Sequence, residues 1–280
     1  MKICDLHTHS IYSDGTNTPS ELIDMAIEIG CSSLALTDHN TVDGLKEFID
    51  LSKNKDIEVV PGCEFSVDYN GKELHLLGLF INEIYFDDIS KLMKEVNDRK
   101  DQSNIDLIHK LNEAGYNINY NLIKQSTPNG KFNRAHVASE LVRLGYVKDR
   151  DEAFITLLSK KGPYYKEPER LTVWEMLEYL VSIHAIPVLA HPFLNLNEDE
   201  LNLFLPIAKE KGLIGIEVYY SLYDEMTTNK SIELANKYHL KYSGGSDYHG
   251  DNKPDIKLGL GKGNLVIPNE WVIELKNNID

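Results

Sequence analysis

The stretch Ile3-Cys4-Asp5-Leu6-His7-Thr8-His9, followed by Thr18-Pro19-Ser20-Glu21 and then by Ser33 to Thr37, decides how the chain is read. Ile3–Leu6 is a short apolar run of strand length. Thr18 then offers an N-cap, Pro19 suits the first helical position and Glu21 completes a capping box. Leu22, Met25, Ala26 and Ile29 recur every three or four residues, and Gly30 stops the helix. Ser33–Thr37 is a second strand candidate. Working outward, Ile57–Cys63, Leu74–Phe80, Pro187–Ala190, Gly215–Tyr219 and Lys241–Gly245 repeat the pattern. These runs are dense in Val, Ile, Leu and Cys rather than alternating, which suits strands buried on both faces of a parallel sheet. Seven such units predict an α/β fold of barrel type.

One stretch breaks the rhythm. From Arg99 to Arg170 only helical patterns occur (Ile105–Ala114, Ala135–Leu144, Asp151–Ser159), separated by Gly115, Gly130, Gly145 and Gly162-Pro163. The expected organisation is therefore a barrel from residues 1–98 and 171–280, with a helical insertion at 99–170. The chain has 280 residues, 42% hydrophobic and 26% charged, enough to form a core and unlike a disordered sequence. Its formal net charge is −15, which argues against a broad duplex-DNA binder or an anionic-membrane binder. The average hides a reversal. The insertion carries 13 Lys and Arg against 9 Asp and Glu, leaving −19 for the remainder.

No apolar run approaches the roughly 18–20 residues of a membrane span, and Met1-Lys2-Ile3-Cys4-Asp5 does not read as a secretory leader. Cys4, Cys31 and Cys63 are far apart and form no zinc or disulfide pattern. A cytoplasmic setting is the expectation.

Ligand-type residues gather at the strand ends. His7 and His9 follow the first strand at i and i+2, leaving one face, and Asp14 follows in a Ser-Asp-Gly turn. His39 follows the second strand, Glu64 the third, His191 the fifth, and Asp247 and His249 the seventh. His75 opens the fourth. A lone strand-end histidine is ordinarily a satisfied core residue. Six imidazoles and three carboxylates at one barrel face demand a compensating partner, which divalent metal ions supply. His109, His184 and His239 lie in or near helices and read as surface or helix-end residues.

These residues sit in motifs that resemble the PHP (polymerase and histidinol phosphatase) family of metal-dependent phosphoesterases. The motifs are Asp5-Leu6-His7-Thr8-His9-Ser10, Ser13-Asp14-Gly15, Thr37-Asp38-His39-Asn40-Thr41, Gly62-Cys63-Glu64-Phe65-Ser66, His75-Leu76-Leu77-Gly78, Ala190-His191-Pro192 and Gly245-Ser246-Asp247-Tyr248-His249. The resemblance implies a distorted (β/α)7 barrel and a trinuclear site. His7, His9, Glu64 and Asp247 would hold the first metal. Glu64 would bridge to a second, completed by His75 and His191, and Asp14, His39 and His249 would hold the third. Asn40 departs from the aspartate common in the family, at a position not expected to ligate. The nitrogen and oxygen donors, with no thiolate, suit Mn, Fe or Zn.

Such a cluster makes a nucleophile, a metal-bridging hydroxide, at neutral pH and clamps the phosphate oxygens. Three divalent ions against Asp14, Glu64 and Asp247 leave a formal +3, which recruits a small phosphorylated dianion. Asp247, His191 or His249 is the candidate for proton transfer. In the insertion, Phe132-Asn133-Arg134-Ala135-His136 opens a helix after the Asn129-Gly130 turn, a natural phosphate-binding arrangement. It resembles the Arg-x-His segment of the PHP subgroup that removes the 3′-phosphate from nucleoside 3′,5′-bisphosphates or degrades short RNA from its 5′ end. Arg134, helped by His136, is expected to grip the phosphate that is not cleaved. Lys160-Lys161-Gly162-Pro163-Tyr164 could line the same cleft, but reads more readily as a surface loop. The alternatives are a histidinol-phosphate phosphatase, a non-catalytic metal or nucleotide sensor, and an amidohydrolase. The last typically bridges its metals with a lysine, where this chain has Glu64.

Overall fold

The computed structural model describes residues 2–126, 134–159 and 161–279. The Asn129-Gly130 turn, Phe132, Asn133 and Lys160 lie outside the described residues.

Seven strands form one sheet in chain order: β1 (Ile3–Asp5), β2 (Cys31–Leu36), β3 (Glu58–Tyr69), β4 (Lys72–Leu79), β5 (Ile186–Leu189), β6 (Gly215–Tyr220) and β7 (Lys241–Gly245). The chain beyond β7 returns to the chain around β1. Leu6 N donates to Gly244 O at 3.2 Å, Asp247 N to His7 O at 2.8 Å and His9 N to Tyr248 O at 3.0 Å, so the sheet forms a nearly closed barrel. Its interior holds Leu6, Ala35, Val60, Leu77, Val188 and Ile267, all fully buried.

The sheet is not parallel throughout, as the apolar runs had suggested. β3 continues past Glu64 to Tyr69, turns through Asn70-Gly71 and pairs antiparallel with β4, which is also antiparallel to β5. Asn70 (φ 53°) and Gly71 (φ 79°) both sit in the left-handed region required by a tight two-residue hairpin. A two-residue link cannot make a parallel crossover. Reversal places Ser66 opposite His75 and Glu64 opposite Leu77. The start of β4 is thereby carried to the face where β3 presents Glu64.

The first helix, α1 (Pro19–Glu28), carries the expected capping box. Glu21 N donates to Thr18 Oγ1 at 3.3 Å, and Thr18 N donates to Glu21 Oε2 at 2.7 Å. Such a cap contributes about 1 kcal/mol. Leu22, Ile23 and Ala26 are fully buried, and the two larger side chains each add roughly 1.5–3 kcal/mol. Met25 and Ile29 are only half-buried, so the apolar stripe is rotated toward Ile23. Gly30 (φ 79°) ends the helix as its sequence position implied.

Contacts divide the chain into two compact units, Met1–Lys91 with Leu171–Asp280, and Leu92–Arg170. The second unit is helical among its described residues and has its own core, including Leu107, Leu111, Val137, Leu141 and Leu158. Asn112 closes its first turn by accepting from Ile118 N (2.6 Å) and donating to Ile118 O (2.9 Å). Among the described residues no helix is long and apolar enough to cross a membrane.

Candidate metal centre

The loops after the strands are held in place by two buried carboxylates. Asp5 accepts from His7 N (3.2 Å), Ser246 N (2.9 Å), Ser246 Oγ (2.5 Å) and Gly259 N (2.7 Å), tying the ends of β1 and β7 together. Asp38 accepts from Ser10 N (2.8 Å), Ser10 Oγ (2.6 Å) and Ser13 Oγ (2.5 Å), which orders the loop carrying His9 and Asp14. Gly245 allows a close approach: a Cβ there would lie 2.2 Å from that of His7. His191 (φ 29°) and Asp247 (φ 54°) adopt left-handed backbone conformations. These are unusual for such side chains and cost about 1–3 kcal/mol each. Strain of this kind persists only where the surroundings enforce it.

Glu64 is the centre of the arrangement and is fully buried. Its Oε2 lies 3.2 Å from His7 Nε2, 3.2 Å from His9 Nε2 and 2.9 Å from His39 Nδ1. Its Oε1 lies 2.7 Å from His75 Nδ1 and 3.0 Å from His191 Nε2. Asp247 Oδ1 stands 3.3 Å from His9 Nε2 and 3.7 Å from His7 Nε2. Beyond it, Asp14 Oδ1 is 3.2 Å from His249 Nε2, 3.8 Å from His39 Nε2 and 3.9 Å from His9 Nδ1.

Three groups of donor atoms close enough to share an ion result: His7, His9, Glu64 and Asp247; His9, Asp14, His39 and His249; and His39, Glu64 and His75. The first contains the four residues grouped in the sequence reading. The third differs, because His39 turns Nδ1 toward Glu64 while Nε2 faces Asp14. His191 reaches Glu64 from the His75 side.

The donor set fits divalent cations on two counts. Two ligand atoms about 2.1 Å from one ion are roughly 3.0–3.5 Å apart, close to the spacings within the first group. Moreover, among the described residues seven buried side-chain polar atoms lack a hydrogen-bond partner, and four of them are His7 Nε2, His9 Nε2, His39 Nδ1 and Glu64 Oε2. Four unsatisfied atoms converging on one point is the pattern a cation resolves.

Electrostatics agree. Burial opposes ionisation of Glu64, yet the charges of His39, His7 and His75 hold it well below the usual carboxylate range. Burial likewise opposes charge on His9 and His75, but Asp247 and Glu64 raise His9 to about 9, and Glu64 and Glu73 raise His75 to about 10. The pocket therefore favours positive charge.

Two further groups orient the ligands and were not singled out from the sequence. Glu217 on β6 is fully buried; its Oε1 is 3.0 Å from His7 Nδ1, and its Oε2 accepts from His191 N at 2.7 Å. A proton on Nδ1 shared with a carboxylate leaves Nε2 as a lone pair facing Glu64. The one available signal was a lone acid inside the apolar run Gly215-Ile216-Glu217-Val218-Tyr219. Tyr220 is the second, its hydroxyl donating to Asp247 Oδ2 at 2.9 Å. Asn40 (φ 48°) accepts from Ser66 N at 3.0 Å, a role an amide in a left-handed position performs well.

Arg134 and His136 belong to the second unit, on the helix Arg134–Arg143. The Arg134 guanidinium lies 4.0 Å from the Tyr165 ring centroid and donates to Leu158 O at 3.2 Å. Burial, and then the charge of Arg150, lower the His136 imidazole below its ordinary value, so it is predominantly neutral at pH 7. His184 (φ 56°) and His239 (φ 52°) end helices in left-handed positions, and His109 is exposed.

Comparison with known proteins covers most of the chain. The sequence profile of the PHP domain matches residues 5–162. A 5′-3′ exoribonuclease of Haemophilus influenzae is 28% identical over 246 residues, 88% of this chain and 89% of that protein. A phosphoribosyl 1,2-cyclic phosphate 1,2-diphosphodiesterase of Eggerthella lenta is 29% identical over 253 residues, covering 88% and 94%. A 3′,5′-nucleoside bisphosphate phosphatase of Chromobacterium violaceum is 28% identical over 261 residues, covering 92% and 91%. Among solved structures, one from Chromobacterium violaceum described as an amidohydrolase superposes with TM-score 0.78 at 26% identity, covering 99% of this chain and 97% of that one.

Proposed function

This chain belongs to the PHP family and is a phosphoester hydrolase, and from that premise we propose that it removes the 3′-phosphate of nucleoside 3′,5′-bisphosphates and shortens 5′-phosphorylated RNA. The observation that carries the proposal is Glu64, whose two oxygens serve two separate sets of imidazoles. His7, His9, Glu64 and Asp247 would hold one divalent ion, His75 and His191 with Glu64 a second, and Asp14, His39 and His249 a third. Divalent ions such as Mn, Fe or Zn supply Lewis acidity and activate water at neutral pH when bound there.

The chain's own groups do the rest. Glu217 fixes His7 and the His191 backbone, so the donors are set before substrate arrives. Asp247 Oδ2 accepts from both Tyr220 and Lys253, which commits the carboxylate to ligation and leaves proton transfer to His191 or His249. Arg134 would bind the phosphate that is not cleaved. Its planar guanidinium suits two oxygens at once, and stacking on Tyr165 restrains it. His136 would add a neutral N–H donor. The names of the Haemophilus and Chromobacterium relatives point to the same substrates.

The test is phosphate release by the purified, metal-analysed chain from adenosine 3′,5′-bisphosphate, AMP, histidinol phosphate, a cyclic phosphodiester of ribose and a 5′-phosphorylated oligoribonucleotide. The bisphosphate and the oligonucleotide are expected to lead. Arg134→Ala is expected to raise KM for the bisphosphate more than for AMP. Turnover confined to histidinol phosphate or to the cyclic diester would sink the assignment. An Arg134→Ala variant that treats both nucleotides like the wild type would remove Arg134 from it.

A further inference from the structure

The turn after β7 contacts two loops that bear ligands. Gly250 (φ 63°) lies so close to the Asp14 loop that a Cβ would stand 2.0 Å from Thr16 Oγ1 and 2.7 Å from Asn17 Oδ1. Asp251 N donates to Thr16 Oγ1 at 2.9 Å, and Asn252 Nδ2 donates to Asp14 O at 2.8 Å. Lys253 then turns back, its Nζ donating to Asp247 Oδ2 at 2.6 Å. That oxygen also accepts from the Tyr220 hydroxyl, while Oδ1 of the same carboxylate faces His7 and His9. Lys253 is 39% exposed, whereas the Asp247 side chain is 8% exposed.

We propose that Gly250–Lys253 is a positioning brace for two metal-binding carboxylates, with Lys253 fixing the side chain of Asp247 and Asn252 fixing the backbone of Asp14. The inference rests on the metal-centre reading and is independent of the substrate. Two effects of Lys253 oppose each other. Its positive charge repels a cation, so removing it strengthens binding. Its hydrogen bond holds Asp247 in one rotation, so removing it weakens binding. The second dominates for three reasons. Asp247 is in a left-handed backbone conformation that its neighbours must maintain. Lys253 and Tyr220 converge on one oxygen, which leaves only the other for the ion. Lys253 is partly solvated, so its repulsion is screened. Outer partners of metal ligands typically account for 10–100-fold in affinity.

The experiment titrates chelator-treated full-length protein with Mn2+, by calorimetry and by competition with a buffered chelator. Lys253→Met is expected to weaken the tightest Mn2+ step about ten-fold, and Lys253→Arg, which keeps charge and donors, to restore most of it. Tyr220→Phe, which removes the other donor to Oδ2, is expected to act in the same direction. Asn252→Ala is expected to weaken a different step. Melting temperatures of the metal-free variants report whether they fold. Unchanged or tighter Mn2+ binding by Lys253→Met overturns the proposal, as does a loss in Tyr220→Phe alone. A wild-type chain that binds no Mn2+, Fe2+ or Zn2+ overturns the metal centre itself, a separate outcome.

Discussion

At the scale of single residues, the centre depends on carboxylates that touch no ion position themselves. Glu217 is the sharpest case, because each of its oxygens has a different partner: the His7 ring and the His191 backbone N–H. Glu217→Gln keeps the shape but puts an amide NH2 against one of them. A donor then faces a donor, and an unsatisfied buried group costs about 1–3 kcal/mol. The variant is expected to fold with a lowered melting temperature and to bind Mn2+ about ten-fold more weakly than the wild type, as read by metal titration. Equal affinity would show that Glu217 is only a structural acid. The candidate His and Asp ligands were legible in the sequence because each sits in a short local motif. Glu217 was not, because its meaning lies in a partner 210 residues away.

At the scale of elements, the hairpin joining β3 and β4 determines how His75 meets Glu64. A parallel β4 would place its first residues at the opposite end of the barrel from Glu64. The Asn70-Gly71 turn reverses the chain with both residues in the left-handed region, a conformation glycine adopts freely and β-branched residues resist. Gly71→Val is expected to cost roughly 1–3 kcal/mol in urea unfolding, and Gly71→Asn much less. A valine variant as stable as the wild type would mean the turn does not hold the register. Strand composition alone misled here. Val- and Leu-rich runs report burial on two faces but say nothing about direction, whereas a connection of two residues excludes the parallel arrangement.

At the scale of the whole molecule, charge and metal binding are one problem. The chain carries −15 overall, with three carboxylates of the centre contributing to it. Three divalent ions would bring the formal charge to about −9. Binding that favours the folded state also stabilises it: an ion at 100 times its Kd contributes about 2.7 kcal/mol. At ~2–4 °C per kcal/mol, chelation is expected to lower Tm by at least ~5 °C, reversed by adding Mn2+. This is measurable by calorimetry with and without chelator, and an unchanged Tm would count against any structural metal.

By itself the sequence determined the strand–helix alternation, the capped first helix, the set of metal-ligand candidates and the charge contrast between barrel and insertion. These are all written in local spacing: cap residues three apart, histidines two apart, acids and bases counted along a segment. Only the tertiary structure decided the direction of β4, the division of Glu64 between two sets of imidazoles, and the contacts of Glu217, Tyr220 and Lys253. The physical reason is that those facts are contacts between atoms distant in the chain. Their energies depend on a separation of a few ångströms, which no local pattern of residues records.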